Sequence, residues 1–180
     1  MKGIKKMDDL STYQGALQVF RNVKCAGERQ NCLIGAIVDL SKSSEFTGAM
    51  IGNGAFGAVG YIIGDLIGRE RDLRVSRIYD FIFVMIDFTE TGVGIIPLRG
   101  GGMRFSPEKL TPCYDAFIFF HYQELKEITV KNYYGIRKSV KTISIVLADG
   151  KKLCFTANME EKALPYQQNG MATLVASYQK

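Results

Sequence analysis

The sequence predicts an α+β fold, in which antiparallel strands are closed by one C-terminal helix and preceded by N-terminal helices. Three observations carry that expectation. From Tyr79 onward, short runs rich in Val, Ile, Phe and Tyr alternate with turn residues, as in an antiparallel sheet. Asp149-Gly150 sits between two such runs, a hairpin signature. Met171, Leu174, Val175 and Tyr178 then recur at i, i+3, i+4 and i+7, one apolar stripe of a helix.

Ahead of the strands, residues 8–24 read as an amphipathic helix, with Leu10, Tyr13, Leu17 and Phe20 at helical spacing. Ser11-x-x-Gln14 is the expected capping box and Gly27 the expected stop. A second apolar stretch, Cys32 to Leu40, is read as a helix that pairs with the segment after it. Ser41 to Ser44 is a connection.

Residues 46–68 are the unusual segment. No charge appears between Glu45 and Asp65, and the length approaches the roughly 20 residues a bilayer core demands. Gly48 and Gly52 are four apart, as are Gly60, Gly64 and Gly68. That spacing lets two helices approach closely, because hydrogen atoms stand where side chains would be. Each Gly costs a helix about 1 kcal/mol relative to Ala, so lipid or a packed helix has to compensate. Arg69, Arg71 and Arg74 follow, a bias that would keep the rest of the chain on the cytoplasmic side. The expected organisation is a helical region over 1–75 and a β-rich domain over 76–180.

Within that domain, Phe81 to Phe88, the turn Thr89–Gly92 and Val93 to Leu98 read as a hairpin. A Gly- and Pro-rich loop spans Arg99 to Pro112. Strands follow at Phe117–Tyr122, Leu125–Lys131 and Lys141–Leu147. The register of the Asp149-Gly150 hairpin is decided by which residues share a face. A three-residue loop, Ala148-Asp149-Gly150, pairs Ile145 with Leu153 and Ile143 with Phe155 and keeps the large apolar residues together.

Two stretches, His121 to Val130 and Ile143 to Phe155, carry a resemblance. The first is similar to a Tyr-x-x-Ile strand entry, with Leu125 at the Ile place, and the second to an Asp-Gly hairpin. Over about 78–180 the chain resembles the bacterial pleckstrin-homology-like (PH-like and GRAM-like) domains. The resemblance implies a half-open antiparallel barrel capped by the C-terminal helix, in a family of binding modules for proteins or lipid head groups. The long Arg99–Pro112 loop and the lack of Trp in the last helix depart from that pattern.

Composition narrows the function. The net charge is +5, spread along the chain, so no nucleic-acid face is predicted. Cys25, Cys32, Cys113 and Cys154 form no C-x-x-C pair and stand with one histidine, His121, so no metal site and no cofactor are expected. Those thiols read as reduced, in a cytoplasmic protein for which 46–68 is the candidate membrane-associating segment. Gly52 to Gly57 matches G-x-G-x-x-G with Asp72 about 20 positions on, which would suit a nucleotide-binding enzyme. The chain beyond it does not alternate strand and helix as that fold requires. Gly100 to Gly102 read as a flexible loop rather than a phosphate nest, because no Lys-Ser/Thr follows.

The expectation is a non-enzymatic binding or scaffolding module. Lys126, Lys131, Arg137, Lys138 and Lys141, with Tyr133 and Tyr134, are the residues expected to meet an anionic surface. Gly48, Gly52, Gly60, Gly64 and Gly68 are those expected to pack helices. The expected partners are a protein, an anionic membrane surface or another copy of the chain.

Overall fold

The computed structural model describes residues 9–42, 73–102 and 104–179. The glycine segment 46–68, with its packing glycines and the Gly52–Gly57 motif, therefore lies outside the described residues. The first helix, α1, is Tyr13–Asn22. Its cap is Thr12, whose hydroxyl accepts from the Gly15 N–H at 3.1 Å. Ser11, the expected cap, instead donates to Asp9 Oδ1 at 2.6 Å. The helix ends before Gly27, where Lys24 takes a positive φ of 58°.

The stretch from Cys32 corrects the sequence reading: Asn31–Val38 is a strand, β1, and not a helix. It is covered on both faces, so it shows no in-and-out alternation. A short continuous apolar run of this kind cannot be told from a buried helix by period. The remaining elements are α2 (Leu73–Ile78), β2 (Phe83–Thr89), β3 (Gly92–Gly100), β4 (Leu110–Pro112), β5 (Ile118–His121), β6 (Leu125–Tyr133), β7 (Arg137–Leu147), β8 (Lys152–Asn158) and α3 (Gln167–Tyr178).

The eight strands form one antiparallel sheet in the order β4-β3-β2-β1-β8-β7-β6. Strands β4 and β5 both pair with β3, β4 at Leu98–Gly100 and β5 at Gly92–Ile95. The sheet does not close on itself. It takes strands from both sides of the 75/76 position, since β1 lies between β2 and β8.

Register follows the apolar faces. Ile145 pairs with Leu153 and Ile143 with Phe155, and Gly150 takes the left-handed φ of 88° that the three-residue loop needs. Ile34, Ile86, Ile95, Ile143, Ile145 and Phe155 build one core with Met171 and Leu174 of α3. On the other face of β1–β3, Leu33, Met85 and Ile96 meet Leu17 and Phe20 of α1.

The seam between β1 and β8 holds the shortest strand pairing among the described residues. The two strands pair only at Ile37–Thr156 and Val38–Phe155. Beyond that point they part, and α3 fills the gap. Gln167, 1 % exposed, accepts from the Gly35 N–H (2.8 Å) and donates to the carbonyls of Gly35 and Asn158 (both 3.0 Å). Gly170 follows one turn later, where an added Cβ would lie 2.4 Å from the Leu33 carbonyl oxygen.

Candidate functional site

The β6–β7 hairpin presents the most distinctive surface among the described residues. Tyr134 (φ 49°) and Gly135 (φ 74°) turn the chain in the left-handed region, which a non-glycine residue such as Tyr134 adopts rarely. The pairing jumps from Asn132–Lys141 to Tyr133–Arg137. Lys138, Ser139 and Val140 therefore bulge from β6, and Val140 pairs across to Asn158 of β8. Bulges of this kind re-aim the side chains beyond them.

What the turn carries is unusual. Ile136 is 81 % exposed and Tyr134 70 %, while Arg137, Lys138 and Lys131 are exposed beside them. Between Glu127 and Asp149 the sequence holds Lys131, Arg137, Lys138 and Lys141 and no carboxylate. The nearest acids past β8 are engaged within the fold. Glu160 accepts from Gln168, and Glu161 accepts from Asn158 and from the Ala163 N–H.

The base of the turn is clamped by Lys42, from the 3-10 turn Leu40–Lys42 that follows β1. Its ammonium lies 4.3 Å from the Tyr133 ring centre and 4.7 Å from that of Tyr134. It also donates to Thr142 Oγ1 at 3.2 Å and pairs with Asp39 at 3.5 Å. The two rings pack at 4.2 Å. Tyr133 titrates above its ordinary value, chiefly because the Tyr134 side chain hydrogen-bonds to it, so its phenol is neutral at physiological pH.

The expected cations divide. Lys131, Arg137 and Lys138 gather at the turn. Lys126 is exposed but lies five residues back along β6, roughly 16 Å from Lys131 at strand spacing. Lys141 is only 5 % exposed, with its ammonium donating to Asn132 Oδ1 at 2.6 Å, and is withdrawn from the surface. Sequence reasoning missed Lys42, whose role depends on a contact across 100 residues. It also passed over Ile136. The available signal was an apolar residue directly after a Tyr-Gly turn, where polar residues are usual.

Other chemistry-bearing groups are held within the fold. His121 caps the 3-10 turn Tyr122–Glu124, its N–H donating to Glu124 Oε2 at 2.9 Å. In the Gly100–Gly102 loop, the Gly101 N–H donates to the Lys109 carbonyl (3.1 Å), which removes a donor from any anion nest. A cleft of about 710 Å³ opens between α1, β1 and α3, lined by Tyr13, Asn31, Cys32, Tyr166 and Asn169. Its polar ends bond inward: Tyr13 to the Asn31 carbonyl, Tyr166 to the Leu10 carbonyl and Cys32 to the Gly170 carbonyl. Burial pushes the Cys32 thiol up to about 12, so it stays protonated and a poor nucleophile.

Asp87 is the exception. It is fully buried on β2, opposite Leu33 and Gly94, and neither oxygen has a hydrogen-bond partner. Burial raises its pKa from 3.8 to about 7. The Cys32 backbone N–H opposes that rise from outside good bonding geometry, and the Glu90 charge adds to it.

Among the described residues no helix is long and apolar enough to cross a membrane, and no cluster of three metal-ligating acids, thiols or imidazoles forms. No known family, curated protein or solved structure matches the chain.

Proposed function

We propose that this chain is a non-enzymatic binding or scaffolding module whose contact surface is the β6–β7 hairpin. The observation that carries the proposal is the pairing of two exposed apolar side chains, Tyr134 and Ile136, with three exposed cations on one tip. Scattered exposed apolar residues are ordinary on a protein surface. Two on one three-residue turn, ringed by a single sign of charge, present both apolar area and a field to a partner. The Lys42 clamp holds the turn's base in one arrangement, which lowers the entropy lost on contact.

A PH-like architecture is part of the proposal. Its support is the antiparallel order of the strands, the Asp149-Gly150 hairpin and the helix α3 packed across the core. The glycine-rich tether expected over 46–68 lies outside the described residues and carries no part of the argument.

A photo-crosslinking residue in place of Ile136, in the full chain in cells, tests the contact surface. The same residue in place of the exposed Glu108, near β4 at the opposite edge of the sheet, is the control. Products at 136 that are absent at 108 are expected. Equal labelling at the two positions would remove the hairpin from consideration.

A further inference from the structure

Resting on the reading of the hairpin as a contact surface, we infer that its partner is the interface of an anionic bilayer, into which Tyr134 and Ile136 insert. Three features of the tip favour lipid over a protein groove.

The first is the order of side chains. Ile136, the most exposed large apolar residue, stands at the turn with Tyr134, and Lys131, Arg137 and Lys138 stand behind it on the strands. An apolar point followed by a phenol and then by ammonium and guanidinium groups matches the layering of a bilayer surface. There, acyl chains lie beneath the headgroup level, where tyrosine is enriched, and anionic phosphates attract Lys and Arg.

The second is charge complementarity. The stretch between Glu127 and Asp149 holds no carboxylate, so the tip half of the hairpin has none to repel an anionic leaflet; Glu127 itself lies four residues before Lys131, roughly 13 Å back along β6. The acid closest to the clamp, Asp39, is paired with Lys42 and hydrogen-bonded by the Ser41 hydroxyl at 2.6 Å.

The third is the absence of a receiving partner shape. The tip is a convex three-residue turn whose apolar part is two side chains. Stable protein interfaces bury about 800 Å² on each partner. A fluid bilayer accepts a small convex wedge without needing a matching pocket, and apolar area with electrostatic attraction together set the strength.

The chain contains no tryptophan, so Ile136→Trp reports from the tip alone. The full-length variant is mixed with vesicles of phosphatidylcholine, and with vesicles of phosphatidylcholine and phosphatidylserine. A blue shift with the phosphatidylserine vesicles only is expected, weakened by raised salt. Brominated lipids are expected to quench position 136 at least threefold more than a Glu108→Trp control. Adding Arg137→Glu and Lys138→Glu is expected to weaken the association reported at 136 at least tenfold. Because the signal comes from the tip, attachment of residues 46–68 to the vesicles cannot mimic it.

An unshifted emission, a shift indifferent to phosphatidylserine, or equal quenching at 136 and 108 each overturns the bilayer. If crosslinking at 136 then captures a protein, the contact surface stands and only the lipid inference falls. If crosslinking at 136 is also no greater than at 108, both fall.

Discussion

The side-chain amide of Gln167 occupies both backbone hydrogen-bonding positions of Gly35, 132 residues earlier in the chain. It thus takes the place of a strand residue where β8 has turned away from β1. A third bond, to the Asn158 carbonyl, ties the same amide to β8. Gln167→Ala would take this partner from the two buried backbone groups of Gly35 and from the part-buried Asn158 carbonyl. A loss of about 2–4 kcal/mol in unfolding free energy is expected. Denaturant titration checks it, and a change under half a kcal/mol would show that water replaces the amide freely.

Gly170 answers a different constraint on the same seam. In an ordinary helix interior, Gly→Ala adds about 1 kcal/mol of stability. Here the new methyl would meet the Leu33 carbonyl oxygen at 2.4 Å, a backbone atom that cannot swing aside. Gly170→Ala is therefore expected to lower the melting temperature. A stabilised variant would mean that α3 can lift from β1 at little cost.

Asp87 predicts a pH dependence. Its carboxyl ionises near 3.8 when free and near 7 in the fold. The unfolded chain therefore gives up this proton first, and stability falls as pH climbs from about 4 to 7, at up to about 1.4 kcal/mol per unit. Above that window the full penalty is present. Asp87→Asn removes the charge and keeps the shape, so it is expected to flatten the profile and to gain about 2–4 kcal/mol at pH 8. Urea unfolding at several pH values measures both. Parallel wild-type and variant profiles across this range would show that the buried carboxylate is not the source.

Lys42 holds the hairpin base through two aromatic faces, Thr142 and Asp39. Lys42→Met keeps most of the apolar stem and removes the cation. The expected cost is about 1–2 kcal/mol, with faster amide exchange at Gly135 and Ile136. Exchange unchanged at those two amides would mean the turn is set by its own backbone alone.

The strands β2, β3 and β5 to β8 were legible because their turns and their faces agree, as at Asp149-Gly150, where one register alone keeps Ile143, Ile145, Leu153 and Phe155 together; β4, three residues pairing with the end of β3, was hidden in the expected Arg99–Pro112 loop. The stretch Asn31–Val38 was not. With both faces covered, its residues carry no period, and only its neighbours in space mark it as a strand. At the hairpin the exposed cations could be read from sequence. The burial of Lys141 and the reach of Lys42 could not, since each depends on a partner chosen by the fold: Asn132 across the ladder and Tyr133 from a distant strand.

The place of β1 also dictates an order of assembly. Its partners pair across long separations, Asn31 with Thr89 and Ile37 with Thr156, whereas β2–β3 and β6–β7–β8 are built from adjacent hairpins. Loop closure makes distant pairings the slow ones. The two hairpin groups are expected to form first as separate half-sheets, with β1 entering late between them as a keystone. A polypeptide beginning at Tyr79 would hold both half-sheets and lack the strand that joins them. It is expected to remain a loose pair of units, with α3 unseated and its Gln167 facing water where Gly35 belongs.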